Sequence, residues 1–257
     1  MIRGIAFDLF DTLVDQNHDR LAPTVVEGRR VGATTPALFE FARSQAKSKA
    51  ASFSLVEFAE ILNDVDRGLR VETIDQDIEL SSLDRFTALA VRLGHPDVLA
   101  SAVAMVQIHM GILREAVTIP RHHEAVLASL AIDYSLALCS NFSHSETALD
   151  VLREAGFDQH LSAIVISEDV GIRKPRVEIF EQVQAAFGFA ANEILHVGDN
   201  LRADVGGAAA LGMRTVWLTR CIADPEAALE KWDGPRPDFA LDDLMDLPVL
   251  VARLRST

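Results

Sequence analysis

Four short segments hold residue types that could do chemistry together: Asp8-Leu9-Phe10-Asp11-Thr12-Leu13, Ser140-Asn141, Gly171-Ile172-Arg173-Lys174-Pro175, and Gly198-Asp199-Asn200 with Asp204 a little further on. Gathered in one place, they would set several carboxylates beside a hydroxyl and an ammonium. Carboxylates so crowded repel one another, so the set asks for a divalent cation, and oxygen ligands suit Mg²⁺ best. A phosphate would complete the shell of such an ion.

The segments can converge only if the elements carrying them end along one edge. Ile2 to Phe7 reads as a short apolar strand that stops at Asp8, the pattern of a strand covered on both faces. Asp133 to Cys139 ends at Ser140, Ala163 to Ser167 at Glu168, and Ile194 to Val197 at Gly198-Asp199. Arg214 to Leu218 follows a helix that closes at Gly212. Strands alternating with helical stretches of about ten to fifteen residues predict a doubly wound α/β core with a parallel sheet. The carboxyl ends of parallel strands share one edge, where ligands bind.

Between residues 15 and 117 the texture changes. Ser54 can cap a helix whose apolar residues Leu55, Phe58, Ile61, Leu62 and Val65 fall at helical spacing. Leu83, Phe86, Ala90 and Leu93 form a second stripe, stopped by Gly94 and Pro96, and Val98 to Val117 is a third helical run, apolar on more than one side. Asn17 to Thr35 has no clear period and reads as loop or short helix. The expected organisation is therefore a core at 1–14 and 118–257, interrupted by an all-helical domain at 15–117.

With 257 residues, 49 % of them hydrophobic, the chain can bury one sizeable core and a smaller second unit. Lys and Arg number 24 against 38 Asp and Glu, a net charge of −14 that repels phosphate backbones and anionic lipid. Neither nucleic acid nor a membrane is an expected partner. The short apolar start reaches Asp8 at once, unlike a signal peptide or spanning helix, and the two cysteines, Cys139 and Cys221, have no metal-ligand spacing. A reducing cytoplasm is the expected setting.

The four segments, in this order and with a helical insertion after the first, resemble the haloacid dehalogenase superfamily of hydrolases, in its subclass with a helical cap. The resemblance covers nearly the whole chain. Since most members are phosphatases, it implies a Mg²⁺-dependent phosphatase acting on a small phosphorylated molecule. By that resemblance Asp8 is the nucleophile that forms an aspartyl-phosphate, and an ordinary pKa of about 3.9 keeps it ionised at neutral pH, so the attack needs no base. Thr12 would hydrogen-bond the nucleophile loop, Ser140 with Asn141 beside it would donate to a phosphoryl oxygen, and Lys174 would balance the charge. Asp8, Asp199 and the main-chain carbonyl of Phe10 would hold Mg²⁺, with Asp204 beside the ion or acting through water. The cap would exclude water and choose the substrate.

One position departs from the phosphatase pattern. Phosphatases of the superfamily commonly carry an Asp where this chain has Phe10, to protonate the leaving oxygen and activate water. The 2-haloacid dehalogenases carry an aromatic residue there, because halide leaves unprotonated, so a dehalogenase using the same Asp8 is an alternative. Those enzymes work without metal and have a small hydroxyl residue where this chain has Asp199, which favours the phosphatase. A binding protein that kept the metal site and lost turnover is a further alternative.

Other residues have simpler readings. Asp11 serves turn geometry, His144 is a solvated loop histidine, His109 packs or is exposed in the third cap helix, and Cys139 is a buried small hydrophobe. Ser140 and Asn141 could also cap the helix starting near Ser145. The glycines between Val205 and Gly212 serve close helix-to-sheet packing rather than a nucleotide loop.

Overall fold

The computed structural model describes residues 1–45 and 53–255. Two compact units emerge, Met1–Gln16 with Thr118–Thr257, and Asn17–Val117. In the first, six strands form one parallel sheet in the spatial order Phe239–Leu241, Arg214–Leu218, Ile194–Gly198, Gly4–Phe7, Ser135–Ser140, Ala163–Ile166. Gly4–Phe7 is central, and each of its residues is buried, as a strand covered on both faces must be. It pairs with Ser135–Ser140 on one side and Ile194–Gly198 on the other. Asp8, Ser140 and Asp199 thus sit at the same ends of three adjacent strands, which is what delivers them to one edge.

The crossover helices cover the sheet. Val177–Phe187 sends Ile179, Phe180 and Val183 into a cluster with Ala6, Ala137, Cys139 and Ile194. At Gly207, in the helix Gly207–Leu211, a Cβ would lie 2.5 Å from the Phe180 ring and 2.8 Å from Pro175 Cα. Close packing therefore accounts for this glycine. The sixth strand, Phe239–Leu241, escaped the sequence reading because three residues are too few to show a period.

The second unit is built on the helices Thr35–Gln45, Leu55–Glu72, Ser82–Arg92 and Val98–Glu115. Ser54 caps Leu55–Glu72 through a reciprocal box, accepting from Glu57 N while the Glu57 carboxylate accepts from Ser54 N. Arg85 holds Asp66 through two bonds of 2.7 and 2.6 Å, tying two helices together. Val98–Glu115 is long and apolar enough by length and composition to cross a membrane. It buries Ser101, Ala102, Met105, Val106 and Met110 and packs on Ser82–Arg92.

This unit is not purely helical. Thr24–Val26 and Arg29–Val31 form an antiparallel hairpin where loop or short helix was expected. Its two-residue turn puts Glu27 at φ 50° and Gly28 at φ 77°, the positive pair that matches the twist of two short strands. Glu-Gly is a weaker signal than Asn-Gly, and the strands are mostly exposed, so no alternation marked them. The helix Thr35–Gln45 begins where that stretch without a clear period ends.

Candidate active site

The sequence-predicted residues of the core come together at the carboxyl edge of the sheet. Lys174 Nζ donates to Asp8 Oδ1 and to Asp204 Oδ1, each at 2.6 Å, and the three residues are 3, 8 and 1 % exposed. An ammonium so buried persists only between acceptors of opposite charge. Its placement depends on Asn141, whose side chain donates from Nδ2 to the Lys174 carbonyl at 2.9 Å and accepts from the Lys174 amide at 2.7 Å. Asn141 is therefore a positioning residue, with both ends of its amide engaged by the backbone at 174.

Asp204 lies on a π-helical turn, Leu201–Gly206, opened by Asn200, whose side chain accepts from the amides of Arg202 and Ala203. Asp204 Oδ2 accepts from the Asn200 amide at 3.0 Å, and Oδ1 also meets His196 Nε2 at 2.9 Å. Gly198 makes this possible, because a Cβ there would lie 2.2 Å from Asp204 Cγ. His196 was not singled out from sequence. A polar residue inside the otherwise apolar strand Ile194–Gly198, two positions before its end, was the available signal.

Asp199 completes the cluster: one oxygen each from Asp8, Asp199 and Asp204 lies within 4.8 Å of the others. Burial first, then the charges of Asp8, Asp204 and Asp11, push the Asp199 carboxyl up to about 8. Burial also pushes Asp8 up against the pull of Lys174, so its environment is not the ordinary one expected from sequence. For Asp204 burial works the same way, but Lys174 and His196 outweigh it and hold the carboxyl below the usual range. Lys174 itself, burial notwithstanding, is held fully protonated by Asp204 and Asp8.

These directions fit a hard divalent cation, which would offset both the burial and the carboxylate repulsion that raise Asp199. In chelator, a carboxyl raised in the folded state binds its proton more tightly there than unfolded, so its stabilisation is present below about pH 4 and lost as pH rises towards 8. The metal-free melting temperature should therefore fall between pH 5 and 8. Mg²⁺ should restore it most at the alkaline end, and Asp199→Asn should flatten the profile. Calorimetry in chelator checks this, and a wild-type profile as flat as the variant's would contradict it.

The buried hydroxyls of Thr12 and Ser140 have no hydrogen-bond partner among the described residues. For Thr12 this corrects the expected bond to the nucleophile loop. That loop closes on its own backbone, Leu9 O accepting from Leu13 N at 2.8 Å and Val14 N at 2.9 Å, while Asp11 Oδ1 accepts from Gln16 N at 3.0 Å. Asp11 adopts φ 57°, so its turn role holds. A buried hydroxyl without a partner is costly, and at Ser140, at the end of its strand, it marks a place for a polar ligand atom.

The Phe10 ring rests on Phe142, centroids 4.7 Å apart, so position 10 offers a hydrophobic wall and no proton. His144 caps the helix Ser145–Ala155, its Nδ1 accepting from the Thr147 amide at 3.3 Å, which displaces Ser140 and Asn141 from the capping role expected for them. His109, in the helical unit, meets Thr34 Oγ1 at 2.9 Å and lines a cavity of about 310 Å³; burial, then Arg85, pushes its pKa down to about 3. Burial lifts Cys139 to about 12, which keeps it an inert thiol.

The fold is a doubly wound parallel sheet with an aspartate loop, a buried lysine and a carboxylate cluster on one edge. The chain belongs to the haloacid dehalogenase-like hydrolase family, whose model matches residues 2–212. It is 29 % identical over 231 residues to a glyceraldehyde 3-phosphate phosphatase from Pyrococcus abyssi, covering 85 % of this chain and 82 % of that protein. It is 40 % identical over 95 residues to a phosphoserine phosphatase from Thermus thermophilus, spanning 36 % of this chain and only 35 % of that relative's length. Among solved structures, the 2-haloacid dehalogenase from Pseudomonas syringae superposes with a TM-score of 0.72 at 23 % identity, covering 99 % of this chain and 100 % of that one. That likeness bears on the fold.

Proposed function

We propose that this hydrolase is a Mg²⁺-dependent phosphatase that acts on a small phosphorylated metabolite through an aspartyl-phosphate on Asp8. The observation that carries the reading is the unpartnered, buried Ser140 hydroxyl beside a buried ammonium and a carboxylate cluster, a donor set that complements a phosphoryl group. Relatives named phosphatases support it. Asp8, Asp199 and the Phe10 carbonyl would hold the ion, with Asp204 beside it; when bound, Mg²⁺ neutralises phosphoryl oxygen charge. The reducing cytoplasm is the proposed setting.

The chain's own residues do the rest. An Asp8 oxygen forms a bond to phosphorus as the bond to the leaving oxygen breaks, and that oxygen takes its proton from water, because Phe10 has none to give. Ser140 donates to a phosphoryl oxygen, and Lys174 offsets the charge of Asp8 and phosphate together. Water then attacks phosphorus, the bond to Asp8 breaks, and inorganic phosphate leaves with Asp8 regenerated. Phe10 favours leaving groups that need no proton, a feature that also suits dehalogenation.

The test is repeated turnover of an activated aryl phosphate in Mg²⁺, abolished by chelator, beside a 2-haloacid assayed for halide release. Halide release without phosphate release would overturn the proposal. Rates should depend steeply on leaving-group acidity, with aryl phosphates outpacing alkyl ones. Phe10→Asp should raise the alkyl rate about tenfold, at the low end of a positioned acid, because the new carboxylate displaces the contact with Phe142 and lacks support. Phe10→Asn is the control, and equal effects of Asp and Asn would show that another group handles the proton.

A further inference from the structure

A second cluster of ligating side chains, sharing no residue with the carboxylate cluster, lies in the α/β unit. His122 and His123 open the helix His123–Ala131, and Asp243 caps the short turn Leu244–Asp246 near the end of the chain. One donor atom from each lies within 4.8 Å of the other two. His122 Nε2 meets Asp243 Oδ1 at 2.7 Å, and the two imidazoles pack edge to face with centroids 4.6 Å apart.

The state of His123 points to a ligand. It is fully buried, and its Nδ1 lies 2.8 Å from the Leu13 carbonyl, an acceptor only. Nδ1 therefore carries the proton and Nε2 presents a lone pair. That Nε2 is buried with no partner among the described residues. A backbone carbonyl fixing the tautomer and orientation of an imidazole is the arrangement found behind metal-bound histidines. His122 and Asp243 are each about one-third exposed, which leaves an ion a way in and room for water as a fourth ligand. Arg220, whose charge reaches His123, is taken up by the Asp15 carboxylate and so opposes a cation only weakly.

We propose that His122, His123 through Nε2, and Asp243 form a site for a divalent transition ion of the zinc type, separate from the carboxylate cluster that suits Mg²⁺. Two imidazoles and one carboxylate select such an ion over Mg²⁺. Binding would tie the nucleophile loop, through Leu13, to the start of one helix and the segment before Leu247–Arg255.

The experiment uses the full chain, stripped with chelator and returned to saturating Mg²⁺, then titrated with Co²⁺ and followed by its visible absorption. The expected result is one Co²⁺ per chain with the intense bands of a four-coordinate, nitrogen-containing site, displaced by Zn²⁺. His122→Ala and Asp243→Asn should each weaken Co²⁺ about tenfold or more, since losing even a supporting group around a metal costs that much. Asp199→Asn should leave the titration unchanged. Because binding rather than stability is read, loss of the His122–Asp243 bond does not confuse the outcome. Absence of the bands, or their loss in Asp199→Asn with His122→Ala unaffected, would overturn the assignment.

Discussion

Asp8→Asn should lower kcat by about 10⁴-fold or more while leaving the fold intact, the scale seen when a covalent nucleophile is removed. The amide keeps the shape of the carboxylate, and its oxygen can still accept from Lys174, which retains Asp204 as its charged partner. The loss is therefore chemical rather than structural. Steady-state kinetics on an aryl phosphate, with a melt recorded beside it, checks this. A variant that melts like wild type and keeps a near wild-type rate would end the covalent mechanism.

Lys174→Met should be the most destabilising single change in the site. It leaves Asp8 and Asp204 buried without their shared cation, and breaking a buried ion pair from one side costs about 3–5 kcal/mol. The cost should depend on pH with a definite sign. In the wild type, Asp204 is held below the usual range, so its stabilisation is present above its unfolded pKa, about 4, and is lost as pH falls through the lower folded value. Without Lys174, Asp8 loses its countercharge and Asp204 keeps only His196 and the Asn200 amide against burial, so both carboxyls shift up and more stability is lost as pH rises. The gap between the two proteins should be widest near pH 8 and narrowest near pH 4, as measured by urea unfolding across that range. A gap independent of pH would show that the lysine contributes packing and little charge. Turnover should also collapse, since the charge of Asp8 and an incoming phosphate would then meet unopposed.

What the sequence made legible follows from the range of the signals involved. Buried parallel strands announce themselves as apolar runs ending in a polar residue, so Gly4–Phe7, Ser135–Ser140, Ile194–Gly198 and Arg214–Leu218 could be placed to within two or three residues, and with them Asp8, Ser140 and Asp199. The cap at Ser54 was legible because a serine directly before an apolar run at helical spacing is a local signal, while the Glu57 half of its box came from the structure. The hairpin at Thr24–Val31 and the strand Phe239–Leu241 were not, being short and carrying little burial pattern.

Roles set by contacts across the sheet were hidden for another reason. Nothing near Asn141 in sequence shows that its amide closes on the backbone at 174, and nothing near Asp204 shows His196 beneath it. Thr12 illustrates the reverse, a hydrogen bond implied by resemblance that its hydroxyl does not make among the described residues, in a loop that closes on its own backbone. Phe10 was legible as a departure, yet its ring partner, Phe142, came from a different segment.

The absence of an acid or base at position 10 bears on both half-reactions, slowing attack of water on the aspartyl-phosphate as well as departure of poor leaving groups. With an activated aryl phosphate the first half is fast, so the phosphorylated enzyme should accumulate. The most direct test is rapid acid quench during turnover in Mg²⁺, followed by mass spectrometry of the peptide containing Asp8. A mass increase of one phosphoryl group on Asp8, present within the first turnover and missing from Asp8→Asn, is the predicted result. Repeated turnover with no phosphoryl group on Asp8 at any quench time, or with one on a different residue, would contradict it.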